Sequence, residues 1–177
     1  MTETAPKTPY EIFKQRYTPL YRVLLILGIL AALLSLASLT NLRSLFDYFQ
    51  TDPAYATSSL IAALIVPALM ISSLILLWHK HPTGIRLRLV GYSVSILASI
   101  IGLFTSSATI ERITKEVTDA AIRDGNGVIT GDFAASVTQA SFYGTLYVGI
   151  GASLLFSWLW VKAWKRQVKA DTKKHPK

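Results

Sequence analysis

Four stretches of the chain contain no Asp, Glu, Lys or Arg, and they constrain the fold more than any other feature. They cover residues 23–40, 58–78, 89–110 and 142–161. Each is about 18–22 residues long, and about 20 helical residues cross the hydrocarbon core of a bilayer. The chain is only 16% charged, against about a quarter in soluble proteins. We therefore predict an all-α integral membrane protein whose four transmembrane helices form a bundle. The predicted spans are 21–41, 58–78, 88–110 and 140–162, within a bundle that covers 20–164.

Basic residues are unevenly distributed among the segments outside these spans. Most of the 18 Lys and Arg residues lie in the N-terminal segment 1–19, the connection 79–87 and the tail 165–177, or directly beside them. Most of the 10 acidic residues lie in the connections 42–57 and 111–139. Because short cytoplasmic loops are enriched in Lys and Arg, we predict a multi-pass protein of the cell membrane. Both termini would be cytoplasmic, and the two acidic connections would form outer loops.

The end of the fourth span and the start of the tail carry a cluster of cations, Lys162, Lys165, Arg166 and Lys169. Basic side chains near a membrane surface attract anionic lipids, by about 1 kcal/mol each. The cluster therefore predicts contact with anionic lipid, and a role in setting the topology alone is the alternative. Nothing in the pattern indicates a folded nucleic-acid-binding surface.

The N-terminal segment has the pattern of a short amphipathic helix. Thr8 and Glu11 have the spacing of a capping box, and Tyr10, Phe13 and Tyr17 follow at helical spacing. We predict an interfacial helix that lies on the inner leaflet before the first span. The same aromatic face would also suit a partner protein.

The two outer connections also begin with apolar helical faces. The face of the first contains Leu42, Leu45, Phe46 and Phe49, and that of the second contains Ile110, Ile113 and Val117. An amphipathic helix outside the membrane needs an apolar surface to cover it. We predict that these short helices pack on each other above the bundle. Contact with a partner protein or with the outer leaflet is the alternative.

Two spans contain rows of small residues at helical spacing. They are Gly91, Ser95, Ser99 and Gly102 in the third span, and Thr145, Gly149, Ser153 and Ser157 in the fourth. Small residues allow transmembrane helices to approach closely. The rows predict packing within the bundle or a face for an oligomer or partner.

The segment 123–133, RDGNGVITGDF, resembles the middle of an EF-hand calcium loop. Asp124 and Asn126 would occupy loop positions 3 and 5, but Ile122 and Phe133 occupy positions 1 and 12, where the loop needs acidic ligands. Asn and Gly also favour turns. We predict a turn and no metal site, with Asp124 and Asn126 as the weak candidates for a ligand.

The remaining chemistry of the sequence is sparse. There is no cysteine, and none of the three histidines lies in a span, so neither dithiol chemistry nor a haem held between helices is indicated. Arg88, at the first position of the span 88–110, is counted with the cations of the connection before it, and the four charge-free stretches also contain no His. No ionisable Asp, Glu, Lys, Arg or His is therefore expected within the apolar part of a span. Ion-coupled transporters usually have such a residue. We predict no enzyme activity and no cofactor.

Three functional hypotheses fit these features. The first is a non-catalytic protein that binds another membrane protein, as an accessory or assembly subunit of a larger complex. The second is an oligomeric channel or a component that transports small solutes or lipid through a polar path of Ser and Thr. The third is immunity against a membrane-active toxin. Self-association is compatible with each of them.

Overall fold

The computed structural model describes residues 13, 15–37, 46–105, 107–123 and 131–174. These residues contain five α-helices and no strand. The helices are α1 (Pro19–Ala37), α2 (Pro53–Trp78), α3 (Pro82–Leu103), α4 (Ser107–Arg123) and α5 (Gly131–Lys174). A short 3₁₀-helix, Tyr48–Gln50, precedes α2. Helices α1, α2, α3 and α5 are long and apolar enough to cross a membrane. The prediction of four such helices is confirmed, and the chain is a multi-pass membrane protein.

The four long helices pack side by side as a bundle. α2 contacts α1 and α3, and α5 contacts α3 and α1, so the packing closes around the bundle. α4 contacts α5. We call the end that contains Pro19, the α2–α3 turn and the last turns of α5 the basal end. The opposite end, near α4 and the 3₁₀-helix, is the distal end.

The α2–α3 turn is short because two capping motifs meet in it. The Lys80 and His81 N–H groups donate to the carbonyls of Leu77 (3.0 Å) and Leu76 (2.8 Å), the pattern of a Schellman motif. Lys80 is left-handed, with φ of 57°. His81 Nδ1 then accepts from the Thr83 N–H at 3.3 Å and caps α3. His81 thus has a structural role in this turn.

The α2–α3 interface is built on residues spaced seven apart. Leu77 and Met70 of α2 face Gly84 and Gly91 of α3. A Cβ at Gly84 would lie 2.8 Å from the backbone nitrogen of Leu77, and a Cβ at Gly91 would lie 3.4 Å from Met70 Cε. Seven-residue spacing is the repeat of antiparallel and parallel coiled coils. The glycines therefore let two transmembrane helices approach closely, and Gly91 serves packing within the chain.

The third span ends earlier than the sequence predicts. α3 stops at Leu103, and Ile110 belongs to α4 rather than to the span. The Thr105 N–H and hydroxyl both donate to the Gly102 carbonyl, at 3.1 Å and 2.6 Å. Such local hydrogen bonds compete with continuation of the helix. The span end was predicted from the positions of charged residues, and Thr105 is neutral, so the prediction missed this stop.

Helices α2 and α5 are longer than the spans predicted for them. α2 begins at Pro53 because Asp52 Oδ1 accepts from the Tyr55 N–H at 3.0 Å and caps the first turn. α5 has 44 residues and runs from Gly131 to Lys174. Much of the predicted outer loop 111–139 and of the tail 165–177 is therefore helical. Hydropathy identifies only the part of a helix that lies in the lipid, so it does not show where the helix begins or ends.

We expect Gly84→Ala to lower the free energy of unfolding by roughly 1–3 kcal/mol, because the added methyl group meets backbone atoms. Gly151→Ala is the matched control, since nothing lies within 4 Å of its Cβ position. It should leave stability unchanged or raise it slightly. Thermal unfolding of detergent-solubilised protein, followed by circular dichroism, measures both. Equal melting temperatures for the two variants would contradict the packing described for α2 and α3.

Candidate functional site

A buried arginine occupies the basal half of the bundle. Arg88 of α3 has 0% of its surface exposed. Its guanidinium carbon lies 5.1 Å from the ring centroid of Trp160, and Nη1 donates to Met70 Sδ at 2.7 Å. The Tyr92 phenol lies near the guanidinium. The Nε and Nη2 atoms have no partner.

The Arg88 charge is held without a counter-ion among the described residues, because none of their ion pairs includes it. An isolated buried charge costs several kcal/mol. A cation over an indole face recovers about 2 kcal/mol or more when both are desolvated. The Trp160 ring therefore offsets part of the free-energy cost of burying the Arg88 charge.

Gly28 of α1 makes room for this arrangement. A Cβ at Gly28 would lie 2.8 Å from Leu74 Cδ2, 3.1 Å from Arg88 Nη2 and 3.4 Å from the Trp160 ring. Arg88, counted from the sequence with the cations of the α2–α3 connection, is thus buried within α3. The sequence does indicate this burial, because Arg88 lies four residues after Gly84 and three before Gly91. The three residues therefore share one helix face, and the two glycines pack against α2.

Gln167 joins three segments at the basal end. It is 2% exposed; its Oε1 accepts from the Thr18 N–H at 2.7 Å, and its Nε2 donates to the Arg16 carbonyl at 3.1 Å. The same nitrogen donates to Asp171, which pairs with Lys80 Nζ at 2.9 Å. The segment before α1, the α2–α3 turn and the end of α5 are thereby tied together.

Two residues of the predicted interfacial helix contact the chain itself. The Phe13 and Tyr17 rings lie 5.4 Å and 5.9 Å from the Trp78 ring. The Tyr17 and Tyr21 hydroxyls donate to the carbonyls of Trp78 and Leu77. Burial raises the pKa of Tyr17, so its phenol remains a donor. The rest of the predicted aromatic face and its capping box lie outside the described residues.

At the distal end, polar contacts connect the two outer segments. The Tyr48 hydroxyl donates to Glu116 at 2.9 Å, and Arg112 donates to the Asp47 carbonyl at 3.0 Å. Arg112 also lies over the Tyr48 ring, 5.3 Å from its centroid. Burial, together with the Glu116 carboxylate, raises the pKa of Tyr48. These contacts join residues other than those of the predicted apolar faces.

The predicted apolar faces themselves are only partly covered. Phe46 is 59% exposed and Phe49 is 36% exposed, and their rings lie 6.1 Å apart. Ile110 and Ile113 are half-buried on α4. Leu42, Leu45 and the side chain of Val117 lie outside the described residues.

A cavity of about 380 Å³ opens in the distal half of the bundle. All four long helices contribute to its lining, which is mostly apolar with several hydroxyl groups. The hydroxyl groups belong to Ser35, Tyr55, Ser59, Ser95 and Ser99. Ser95 and Ser99, predicted from the small-residue row of the third span, thus lie at a polar patch within the bundle.

The small-residue row of the fourth span faces α3. A Cβ at Gly149 would lie 3.6 Å from Ser99 Oγ, and a Cβ at Gly102 would lie 3.1 Å from Leu146. Ser153 is 7% exposed. These contacts place Gly102, Gly149 and Ser153 at helix packing within the chain.

The other two members of this row bond to the backbone of their own helix. The Ser157 hydroxyl donates to the Ser153 carbonyl at 2.7 Å, and the Thr145 hydroxyl donates to the Ser141 carbonyl at 2.8 Å. Thr145 is exposed and Ser157 is half-buried.

A different face of α5 points away from the bundle. Nothing lies within 4 Å of a Cβ at Gly144 or Gly151. Tyr147, Val148 and Leu155, around these glycines, are 63%, 70% and 54% exposed. Only 11% of the apolar stretch of α5 is buried within the protein, whereas the corresponding stretches of the other three spanning helices are 22–28% buried. The row of small residues in the fourth span did not predict this face. Which side of α5 faces the lipid depends on its contacts with α3, and residue spacing alone does not show them.

The predicted lipid-binding cations lie on the last turns of α5. Lys162 Nζ is 4.4 Å from the ring centroid of Trp158, and Lys165, Arg166 and Lys169 are exposed. Exposed cations beside an indole suit a headgroup layer, so their contact with anionic lipid stays a prediction.

The weak metal-ligand candidates, Asp124 and Asn126, lie outside the described residues. Among the residues that are described, no three His, Asp or Glu side chains are grouped as metal ligands. Comparison of the chain with protein-family models, curated proteins and solved structures found no match.

We expect Arg88→Met and Trp160→Leu to be coupled. In the parent chain, Trp160→Leu removes the aromatic face from a buried cation, whereas in an Arg88→Met background it removes only apolar packing. The coupling free energy should be about 1–2 kcal/mol. Equilibrium unfolding of the two single variants and the double variant in mixed micelles measures it. Strictly additive effects would show that the indole does not stabilise the guanidinium.

Proposed function

We propose that the protein is a non-catalytic multi-pass membrane protein that binds another membrane protein through the outward face of α5. It would act as an accessory or assembly subunit of a larger complex. The observation that carries this proposal is the pair of open glycines, Gly144 and Gly151, on the least buried span. Transmembrane helices associate where small residues allow their backbones to approach.

The neighbouring side chains support the choice of this face. Tyr147, Val148 and Leu155 are more than half exposed and would form ridges on either side of the glycines. A partner helix could pack between them by van der Waals contact, which drives association in lipid. The glycines at the α2–α3 interface are already covered, so they are not available for a partner.

The charge distribution supports an orientation for the complex. By the positive-inside rule, the basal end, with Lys162, Lys165, Arg166 and Lys169, faces the cytoplasm of a cell-membrane protein. Anionic lipid at these residues would then hold the last turns of α5 at the membrane surface. The face of α5 that contains Gly144 and Gly151 would then lie at a fixed depth in the membrane, where a partner helix can contact it.

We expect Gly144→Leu with Gly151→Leu to abolish partner binding, because the two side chains prevent close approach of a helix. Leu34→Trp is the control, since Leu34 of α1 is 74% exposed and lies on another lipid-facing surface. A C-terminally tagged chain, expressed at native level and extracted in mild detergent, is purified and its retained proteins are identified by mass spectrometry. The control should keep a stoichiometric partner that the glycine variant loses. A solitary parent chain, or the same retained proteins with both variants, would contradict the proposal.

The distal cavity favours a second candidate function, passage of a small solute or lipid through the bundle. The cavity of about 380 Å³ is within the range of small-molecule sites, about 300–1,000 Å³, and has hydroxyl groups from three helices. Ser95 and Ser99 of α3 line this cavity and would line a polar path through the bundle.

We expect Ser95→Leu with Ser99→Leu to abolish flux if this second function holds, because the leucines fill the cavity and remove its hydroxyl groups. Ser93→Leu is the matched control, since Ser93 is exposed on α3. Flux of small solutes and of labelled lipid is measured in proteoliposomes. Absence of flux with the parent protein, or equal flux in all three proteins, would contradict a transport role.

A further inference from the structure

The wall of the distal cavity contains a backbone carbonyl that α2 itself does not pair in the usual way. Pro67 lies inside α2 and has no N–H, so the Ala63 carbonyl lacks the donor that a helix normally provides four residues later. Both residues line the cavity. An unpaired carbonyl in a spanning helix costs several kcal/mol, because lipid offers no donor. A donor that enters the cavity would therefore find an acceptor there.

The register of α2 and α3 brings a hydroxyl group to the same depth. The two helices contact each other every seven residues, at Gly84 and Gly91 of α3. One further step of seven residues reaches Ala98, which this register places opposite Ala63, and both line the cavity. Ser95 lies nearly one turn before Ala98, at the level towards which the Ala63 carbonyl points. The carbonyl and the Ser95 hydroxyl therefore lie near the middle of the span.

Two serine hydroxyls of the cavity are available to a ligand. Ser93, exposed on the same helix, donates to the Leu89 carbonyl at 3.0 Å, a common bond for serine in a helix. Among the described residues, no such bond is found for Ser95 or Ser99, and neither is fully buried. A hydroxyl can both donate and accept. Either serine can thus donate to the same ligand group that donates to the carbonyl.

The rest of the lining limits the charge and the shape of the ligand. Among the described residues, no Asp, Glu, Lys, Arg or His lines the cavity, so a charged group would be desolvated there without a partner, which costs several kcal/mol. On α2 the lining runs from Tyr55 to Pro67, a distance of about 18 Å along the helix. A cavity of about 380 Å³ is narrow over that length. Its shape suits one hydrocarbon chain better than a ring system.

We propose that the distal cavity binds one uncharged long-chain alcohol. Its hydroxyl donates to the Ala63 carbonyl and accepts from Ser95 or Ser99, and its chain extends towards Tyr55. An ether or an ester accepts but does not donate, so it leaves the carbonyl unpaired. A carboxylate adds a charge that nothing in the lining offsets. Binding here requires neither passage through the bundle nor a partner on α5, so it is independent of both functions proposed above.

The test is photo-crosslinking of the purified full-length chain in proteoliposomes with a dodecanol that carries a diazirine. Mass spectrometry of the digested protein should locate the crosslink on cavity residues of α2 or α3. Unlabelled dodecanol should compete about fivefold more strongly than dodecyl methyl ether at equal membrane concentration, since one hydrogen bond distinguishes them. Dodecanoate should compete less than dodecanol. Equal competition by the alcohol and the ether, or crosslinks spread evenly over lipid-facing residues, would overturn the proposal.

Pro67→Ala examines the carbonyl directly. The variant supplies the missing N–H to the Ala63 carbonyl and leaves both serines in place, so it should still be labelled but lose the preference for the alcohol. Ser93→Ala is the control, because it removes an exposed hydroxyl of α3 and should keep the preference. A full preference in Pro67→Ala, or its loss in Ser93→Ala, would contradict the proposed hydrogen bond.

A further variant examines the cavity itself. Ala62→Phe fills the cavity from α2 and should abolish the competed crosslink; a crosslink of parent intensity would refute the assigned site. Circular dichroism and size exclusion establish that each variant is folded. If Pro67→Ala or Ala62→Phe fails there, Ser95→Ala with Ser99→Ala decides, and it should weaken competition by dodecanol about fivefold. Because binding is measured here and flux in the earlier assay, either result can fail without the other.

Discussion

The basal half of the bundle is organised around a positive charge that has no carboxylate to neutralise it among the described residues. Arg88 is fully buried in a span, and such a charge persists only where its surroundings compensate the cost of desolvation. The surroundings are built for that purpose. Trp160 offers its ring and Met70 its sulfur, while Gly28 removes the side chain that would collide with the guanidinium. Four helices are thereby fixed in rotation relative to one another.

The two halves of the molecule consequently differ in character. The buried core includes Tyr17, Tyr21, Leu77 and Trp160, all at or near the basal end, where aromatic rings and backbone carbonyls are paired. The distal half contains the cavity of about 380 Å³, and its outer segments are joined by polar contacts at the surface. Close-packed interiors transmit strain, whereas a cavity can adapt its shape. Any ligand of the bundle interior is therefore more easily accommodated on the distal side.

The sequence predicts the number of spanning helices well, because a helix in a soluble protein rarely avoids charge on every face over the length of a bilayer core. It places the helix ends poorly. The stop after Leu103 depends on a local hydrogen bond of Thr105, and the continuation of α5 to Lys174 crosses from apolar to charged residues without a break. The rarity of cations in spans favours counting Arg88 with the connection before the third span, although Gly84 and Gly91 on the same helix face pack against α2. For α5, composition identified the small residues, but contacts with α3 decided that Gly149 faces inward and Gly151 outward.

The hydrogen bond between Gln167 and Thr18 has a consequence for biosynthesis. These residues are 149 positions apart, whereas the α2–α3 hairpin closes through a turn of a few residues. Local contacts form early and distant ones late, so a ribosome releases Gln167 only after every span has been made. Until then Thr18 and the Arg16 carbonyl have no partner from α5. A chain cut short before this point would hold its N-terminal segment only through the contacts of Tyr17 and Tyr21 with the end of α2.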